Sequence, residues 1–356
     1  MSGNPVKDIR QLSFAELELF FHDEGLQPYR AKQVYEWLWK KSCRSFGQMT
    51  NLSKEIREKL EKQFLFPVLN IEKELRSTDG TVKTIFRLED GAKIEGVLIP
   101  ADGRTTACIS SQAGCPLACN FCATGQLGFT RNLAFPEIYD QVVLINEQSK
   151  KYHGSSLSNI VYMGMGEPLL NYDHVKQSVE KITSGEGLGM SPQRITVSTV
   201  GIPKMIRQMA DDGIKFHFAL SLHAATNEKR DKIIPLNRKY PLEEITDALK
   251  YFHRQTKKRI TIEFILFRDF NDTLNDAAEL AVFCRNFPVK INLIEYNPVE
   301  KTGFRAPDPA RVVSFFEFLE KKNLVVNIRK SRGKDINAAC GQLALNEKSG
   351  GQEVRK

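Results

Sequence analysis

One short loop of the chain has the sequence Gly114-Cys115-Pro-Leu-Ala-Cys119-Asn-Phe-Cys122-Ala-Thr-Gly125. Its three cysteines follow the spacing C-x3-C-x2-C, which allows three thiolates to point towards one site. A structural zinc site needs four protein ligands that fill its coordination sphere. Three cysteines instead leave one iron of a [4Fe–4S] cluster without a protein ligand. The loop therefore predicts an iron–sulfur cluster. The alternative is a zinc site, for which Cys108, Cys340 or a histidine would supply the fourth ligand.

Strand-like and helix-like segments alternate around and after this loop. The β-rich runs lie at 108–110, 160–163, 195–198, 217–222, 260–266, 291–296 and 325–328, and the amphipathic helical stretches at 136–149, 173–183, 203–211, 242–255, 275–287 and 310–322. Such repeats predict a parallel sheet with helices on its outer face. Six helical crossovers favour a partial (β/α)6 barrel over a complete eightfold barrel, and function is expected at the C-terminal ends of the strands.

The chain before the alternation divides into two further parts. Residues 1–70 contain three amphipathic stretches at 14–21, 29–39 and 53–64, with Ser13 as a possible N-cap. Residues 71–104 contain three short strand-like runs separated by Asp-Gly turns. We therefore predict an α/β protein with a small helical domain (1–70), a β linker (71–104), a barrel (105–345) and a polar tail (346–356). The basic residues of the helical domain, Arg30, Lys32, Lys40, Lys41 and Arg44, are either a solvated face or an RNA-binding surface.

Charge and cysteine content narrow the function classes. The 356 residues include 51 Lys and Arg against 43 Asp and Glu, a net charge of +8, which permits a polyanionic partner. Two basic stretches stand out, Lys229-Arg230-Asp-Lys232 and Arg329-Lys330-Ser-Arg332-Gly-Lys334. The second lies just before Cys340, and such a basic loop would follow a nucleic-acid backbone. Seven cysteines cannot all pair internally. Without a secretory signal or a membrane-length apolar run, we expect a cytoplasmic protein whose clustered cysteines bind metal or react.

The cysteine loop resembles the signature of radical S-adenosylmethionine (radical SAM) enzymes, in which an aromatic residue, here Phe121, precedes the last cysteine. The resemblance implies that Cys115, Cys119 and Cys122 hold one [4Fe–4S] cluster and that S-adenosylmethionine chelates its fourth iron. The partial barrel, inferred independently from strand–helix periodicity, agrees with the fold of that family.

Several polar residues at the ends of the predicted strands fit the same resemblance. The stretch Met163-Gly-Met-Gly166-Glu167-Pro168 is similar to the family's "GGE" motif, whose acidic residue contacts the methionine amino group. Taken singly, such residues are more often helix caps or turn formers. For the set as a whole, the resemblance implies binding of S-adenosylmethionine. The residues are Gly166, Glu167, Ser198, Ser221, Leu222, His223 and Asn297.

Four further stretches resemble a narrower family, the bacterial ribosomal RNA adenine methyltransferases. They are Thr106-Ala-Cys108-Ile-Ser-Ser-Gln-Ala-Gly-Cys115, Asp335-Ile-Asn-Ala-Ala-Cys340-Gly-Gln-Leu, Tyr29-Arg30-Ala-Lys32-Gln33 and Ile94-Glu95-Gly-Val-Leu-Ile-Pro100. This resemblance covers nearly the whole chain. It implies methylation of C2 of adenine 2503 in 23S rRNA. The activity of the family also includes methylation of C2 of adenine 37 in tRNAs. Methylation of C8 of the same rRNA base, the antibiotic-resistance reaction, is one alternative; a non-catalytic zinc RNA-binding protein is another.

The same resemblance implies catalytic roles for three residues. Cys340 receives a methyl group from one S-adenosylmethionine, and a second is cleaved, so two are used per turnover. Cys108 then forms a transient disulfide with Cys340, and Glu95 accepts the C2 proton. Without the resemblance, Glu95 would be read as an exposed strand glutamate. Cys43 and Cys284 match no chemical position, and Cys284 is expected in the core.

The resemblance also implies partners beyond the RNA substrates. We expect an external electron donor such as flavodoxin, no contact with a membrane, and a monomeric chain. The target adenine must leave its stack to reach a buried cluster, as in other base-modifying enzymes.

Overall fold

The computed structural model describes residues 7–300 and 302–345, and the backbone of 352–353. Its N-terminal part contains helices α1 (Phe14–Asp23), α2 (Tyr29–Tyr35), which continues as a π-helical turn, and α3 (Lys54–Gln63). Ser13 caps α1 as predicted: its side chain accepts a hydrogen bond from the backbone of Glu16, and the Glu16 carboxylate accepts one from the Ser13 backbone. The predicted helical character of residues 1–70 is therefore confirmed for the described part.

One large mixed sheet dominates the rest of the chain. Its strands are β1 (Asn70–Arg76), β2 (Val82–Arg87), β3 (Lys93–Ala101), β4 (Arg104–Cys108), β7 (Asn159–Tyr162), β8 (Ile195–Thr199), β9 (His217–Ser221), β10 (Ile260–Leu266), β11 (Val289–Glu295), β12 (Val325–Arg329) and β13 (Gln352–Glu353). In the described residues their order is β12-β11-β10-β9-β8-β7-β4-β3-β2-β1-β13. From β4 to β12 every neighbouring pair is parallel. Because β4 pairs with β3 rather than β12, the barrel is open, as the sequence predicts.

Helices connect the parallel strands. They are α5 (Phe135–His153), α6 (Tyr172–Thr183), α7 (Pro203–Asp211), α8 (Asn227–Ile233), α9 (Leu242–Thr256), α10 (Leu274–Cys284) and α11 (Pro309–Lys321). Each predicted helical stretch is present, and α8 is an addition. The loop after β4 also holds a small hairpin, β5 (Gln112–Gly114) with β6 (Phe129–Asn132), and a short helix, α4 (Ala123–Leu127). These short elements were not predicted because they show too few residues for a clear hydrophobic period.

The strands of residues 71–104 extend the barrel sheet rather than linking two separate bodies. β1, β2 and β3 are antiparallel neighbours, as expected, and β3 pairs antiparallel with the first barrel strand, β4. In that pairing Val97 lies opposite Cys108. Glu95, two residues from Val97, is consequently held on the same sheet as Cys108 by continuous backbone hydrogen bonding.

The N-terminal helices dock on the outer face of α5. Trp39 stacks on Phe135 at a centroid distance of 5.6 Å and meets Tyr139 edge-on at 5.2 Å. Beside this aromatic contact, the buried guanidinium of Arg10 donates to both carboxylate oxygens of Asp140 at 2.8 Å. Within the described residues, no helix is long and apolar enough to cross a membrane.

Candidate active site

A cavity of about 220 Å³ opens at the C-terminal ends of the parallel strands. This is the edge of the sheet where function was expected. Its wall contains most of the residues singled out from the sequence: Cys108, Cys115, Cys119, Cys122, Gly166, Glu167, Ser198, Ser221, His223 and Cys340. Leu222, Asn297 and Glu95 are buried but do not line it. The structure thus brings ten of the thirteen residues to one cavity, and the other three are buried but do not line it.

The loop after β5 presents three free thiols to this cavity, those of Cys115, Cys119 and Cys122. Burial raises the pKa of Cys115 to about 12. Burial, together with repulsion from Cys122 and Cys115, raises the pKa of Cys119 well above its usual value. Three mutually repelling buried thiols are unfavourable as thiolates unless a cationic group binds them.

The number of these donors bears on the two metal hypotheses. A structural zinc site takes four protein ligands around one centre. A [4Fe–4S] cluster takes each cysteine on a different iron, and three cysteines leave one iron open. The three thiols that line one cavity therefore suit the cluster.

Tight backbone contacts shape the cysteine loop. Ala118 has a positive φ of 50°, and the Cys122 N–H donates to the Cys119 carbonyl at 3.1 Å. A Cβ atom on Gly125 would stand 2.9 Å from the Cys119 nitrogen, closer than side chains tolerate. The Phe121 ring meets His223 edge-on at 5.0 Å and tilts against Phe267 at 5.6 Å. The aromatic residue of the motif therefore anchors the loop to the apolar interior of the barrel.

Gly166 and Glu167 form a close turn after β7. Gly166 has a φ of +98°, and a Cβ atom there would lie 2.5 Å from Cβ of Gln112. The Glu167 carboxylate accepts hydrogen bonds from the backbone N–H groups of Leu169 and Val200, each at 3.0 Å. Burial raises the pKa of Glu167, and these bonds lower it. The carboxylate is fixed in direction and retains lone pairs for a cationic ligand.

Polar groups from two more strands complete this side of the cavity. The hydroxyls of Ser198 and Ser221 lie 3.0 Å apart. The Ile265 backbone N–H donates to Nδ1 of His223 at 3.1 Å, so the ring proton is on Nε2. Burial lowers the pKa of His223 to about 3, which keeps the imidazole neutral. Asn297 holds the loop of Cys340 by donating to the Cys340 carbonyl at 3.4 Å, while its Oδ1 is buried without a partner in the described residues.

Cys108 and Cys340 line the cavity from different parts of the chain. Cys108 is the last residue of β4 and is buried, whereas Cys340 lies on the loop after β12 and is exposed. Burial, together with a charge on Cys340, raises the pKa of Cys108 to about 12. Burial also raises the pKa of Cys340, and the guanidinium of Arg329 opposes the rise at both cysteines. A cation is therefore placed where either sulfur would carry negative charge.

Hydrogen bonds join the Cys340 loop to the cysteine loop after β5. The Ala123 N–H donates to the Gly341 carbonyl at 2.8 Å, and the Thr124 hydroxyl donates to the Leu343 carbonyl at 2.7 Å. Both donors follow Cys122 directly in the sequence. The position of Cys340 is consequently tied to the position of the three clustered thiols.

Glu95 is fully buried on β3, so its reading as an exposed strand glutamate is wrong. Its Oε1 lies 3.1 Å from Nζ of Lys83, which is also buried. Neither carboxylate oxygen meets hydrogen-bond geometry with any described residue. Burial raises the pKa of Glu95, and the Lys83 cation lowers it.

Comparisons with known proteins bear on the whole chain. Residues 7–65 match the ribosomal RNA large subunit methyltransferase N-terminal domain, and residues 109–281 match the radical SAM superfamily. A probable dual-specificity RNA methyltransferase RlmN from Christiangramia forsetii is 52% identical over 338 residues, which are 95% of this chain and 96% of that protein. The chain belongs to the RlmN family. An RlmN relative from Thermotoga neapolitana is 45% identical over 344 residues, 96% of this chain and 99% of its own.

A solved structure agrees with this membership. The crystal structure of a radical SAM methyltransferase from Sphaerobacter thermophilus superposes with a TM-score of 0.90 at 38% identity, covering 95% of this chain and 99% of that one. The RlmN-family chain is therefore a radical SAM RNA methyltransferase, and its family uses a [4Fe–4S] cluster and S-adenosylmethionine. The membership favours the C2-methyltransferase prediction over the C8 enzyme and over a non-catalytic zinc protein.

Four charged residues lie at or beside the site but were not predicted from the sequence as site residues: Lys83, Arg230, Glu263 and Arg329. Arg230 stood out in the sequence only as part of a basic stretch, but it is buried and donates to the Leu222 carbonyl at 3.0 Å. Arg329 contacts Glu263 at 3.4 Å on the cavity wall. A charged residue inside an apolar run, as Lys83 in β2 and Glu263 in β10, is the sequence signal that could have revealed them.

Cys43 and Cys284 lie outside the cavity. Both are buried, and Cys284 ends α10 within the hydrophobic core, as the sequence analysis expected. Burial raises the pKa of each thiol to about 12, which suits an inert side chain.

Proposed function

We propose that this protein adds a methyl group to C2 of adenine 2503 in 23S rRNA and to C2 of adenine 37 in tRNAs. The observation that carries the proposal is that two free cysteines from distant parts of the chain, Cys108 and Cys340, share one cavity with three clustered thiols. The family supports RNA as the substrate, since its relatives are named dual-specificity RNA methyltransferases.

The residues present suit the cofactors that this chemistry requires. Cys115, Cys119 and Cys122 would hold the cluster, and Glu167, with Gly166, Ser198, Ser221 and His223 around it, would receive S-adenosylmethionine. When bound, these groups supply an electron, a primary carbon radical and an electrophilic methyl group. C2 of adenine is electron-poor and will not attack such a methyl group directly, so a radical route through a protein sulfur is needed.

Cys340 is the proposed carrier of the methyl group. Its sulfur must be a thiolate to accept the methyl group by displacement. Burial raises the pKa of the Cys340 thiol, and the Arg329 guanidinium opposes that rise by favouring the thiolate. Its exposure at the cavity allows both the methyl donor and a flipped-out adenine to approach. The S-methyl group would lose a hydrogen atom to the primary carbon radical, and its carbon would then bond to C2. The adduct would give one electron back to the cluster, which leaves RNA joined to Cys340 as an even-electron species.

Glu95 and Cys108 are the proposed residues that release the product. Glu95 accepts the proton that leaves C2 and becomes a carboxylic acid. The Cys108 thiolate attacks the sulfur of Cys340, an S–S bond forms, and the bond between that sulfur and the methylene carbon breaks. The electron pair of the broken bond stays with the base, where a proton completes the methyl group. An external reductant must then reopen the disulfide.

The stoichiometry and the reductant belong to the same proposal. One S-adenosylmethionine would supply the methyl group and another the radical, so two are consumed for each methylated adenine. A flavodoxin-type donor in the cytoplasm would supply electrons to a monomeric enzyme. Basic side chains on the cavity rim, Lys330 and Arg332, would contact phosphates, so salt should weaken RNA binding.

Nucleoside analysis of the product tests this function. The protein, reconstituted with iron and sulfide without oxygen, is incubated with S-adenosylmethionine, dithionite and either a 23S rRNA fragment or tRNA. Digestion and mass spectrometry should detect 2-methyladenosine in each RNA. Detection of 8-methyladenosine instead would establish the alternative regiochemistry. No modified adenosine, together with one bound zinc per chain, would favour a non-catalytic protein.

A further inference from the structure

Lys83 is a buried cation next to the proposed base. It lies on β2, its side chain is 1% exposed, and its neighbours in the strand are also buried. A buried ammonium group is costly unless it is paired with opposite charge or carbonyl dipoles. Its presence within an apolar strand therefore requires an explanation beyond packing.

The Lys83 ammonium makes two contacts that join separate parts of the site. It lies 3.1 Å from Oε1 of Glu95 on β3, and it donates to the backbone carbonyl of Asn337 at 3.3 Å. Asn337 has a φ of +51° and stands three residues before Cys340. One side chain thus contacts both the proposed base and the loop that carries the proposed methyl acceptor.

Among the described residues that surround Glu95, Lys83 is the charged one. The Glu95 N–H faces the sulfur of Met165 from the loop after β7, at 3.3 Å. From the Cys340 loop, Ala344 and Leu345 turn backbone N–H groups towards the carboxylate. The Ser110 hydroxyl, after β4, donates to the Glu95 carbonyl. These other neighbours are uncharged, so the Lys83 ammonium dominates the local field.

We propose that Lys83 is a positioning residue that holds Glu95 and the Cys340 loop in register for removal of the C2 proton. The inference rests on the proposed function. In this step the Glu95 carboxylate takes the proton, the electron pair of the C–H bond stays on the adenine ring, and the acid form of Glu95 remains beside Lys83. Burial raises the pKa of Glu95 and the Lys83 cation opposes that rise, so the cation at 3.1 Å favours the carboxylate form that accepts the proton.

The test is the pH dependence of product release in Lys83→Gln and Lys83→Arg. RNA is first joined to Cys340 in a rapid anaerobic mix, and 2-methyladenosine formation is followed in a single turnover from pH 5.5 to 9. The wild-type rate should fall at low pH as Glu95 is protonated. Lys83→Gln should move the midpoint of this fall to higher pH, so that release at low pH becomes about tenfold slower than in the wild type. Lys83→Arg should restore the wild-type midpoint.

Two controls separate a positioning role from a structural one. Lys93→Gln removes a lysine from the adjacent strand, where Lys93 pairs with Glu72 at the surface, and should leave the midpoint unchanged. Methylation of Cys340 from labelled S-adenosylmethionine should stay normal in Lys83→Gln. If this variant fails to bind iron, Lys83→Met provides the same loss of charge with the apolar stem retained.

The outcomes distinguish this inference from the proposed function. A wild-type protein that forms no 2-methyladenosine overturns the proposed function itself. A wild-type protein that forms it, beside a Lys83→Gln or Lys83→Met variant whose midpoint is unchanged, overturns only the role of Lys83. A raised midpoint that Lys83→Arg does not restore also contradicts it, because the arginine retains the positive charge.

Discussion

Cys108 and Cys340 line one cavity although the first ends β4, the first strand of the barrel, and the second follows β12, the last strand of the parallel series. The open barrel brings these two ends of the domain to the same rim. Arg329, at the end of β12, acts electrostatically on both sulfurs. This relationship supports the proposal that Cys340 carries the methyl group and Cys108 then releases the product.

Metal content should depend on the three clustered cysteines. Purified and reconstituted without oxygen, the wild-type protein should be brown and contain about four irons per chain. Cys119→Ala removes a buried, proposed cluster ligand and should abolish the visible absorption and most of the iron. Cys284→Ala, a change at a buried cysteine outside the cavity, serves as the control and should retain the cluster. A colourless wild-type protein with one zinc would contradict the cluster assignment.

Gly166→Ala should weaken S-adenosylmethionine binding at least tenfold. The added Cβ would meet Gln112 at 2.5 Å, and the φ of +98° strains any other residue by roughly 1–3 kcal/mol. Gly154→Ala is a suitable control because Gly154 also has a positive φ but has open space around it. Equilibrium dialysis of the iron-loaded variants measures the difference, and equal affinities in both variants would refute a cofactor role for this turn.

Asp140→Asn should destabilise the docking of the N-terminal helices. Asp140 accepts two bonds from the buried Arg10, and breaking a buried ion pair typically costs about 3 kcal/mol or more. Asp8 remains beside Arg10 and limits the loss. Thermal unfolding should show a clear decrease in Tm, whereas Glu58→Gln, which removes an exposed pair with Lys54, should cost less than about 1 kcal/mol. Similar melting curves for the two variants would argue against this interface.

Cys340 should become labelled when the protein is incubated with methyl-labelled S-adenosylmethionine. The label should be stable to denaturation and map by mass spectrometry to the peptide that contains Cys340. Cys340→Ala should carry no label and form no methylated adenosine, while its iron content remains that of the wild type. Label on another residue in the active wild-type protein would exclude Cys340 as the carrier.

The fold was predictable where the sequence is periodic. The alternating apolar runs indicated the seven parallel strands, and Ser13 indicated a helix start, because both signals are local. The pairing of β3 with β4 was not predictable, since it is set by which edge of the sheet is free rather than by either strand's own residues. That pairing turned the expected linker into part of the barrel.

The sequence pointed to the cysteines of the candidate site, but it did not show which charged side chains lie beside them. Cys115, Cys119 and Cys122 carry a spacing that is visible in one loop. Lys83 and Arg329 act on residues far away in the chain, and a single sequence does not reveal which charges become neighbours. Arg230 shows the same difficulty, because a basic stretch of sequence contains a side chain that folding buries.

The most direct test of the central claim is the fate of RNA in Cys108→Ala. This variant should methylate Cys340 and bond it to adenine, but it lacks the thiolate that releases the product. Denaturing electrophoresis should therefore show a covalent protein–RNA species, and the double variant Cys108→Ala/Cys340→Ala should show none. Normal turnover by Cys108→Ala, with free 2-methyladenosine and no covalent species, would contradict the account.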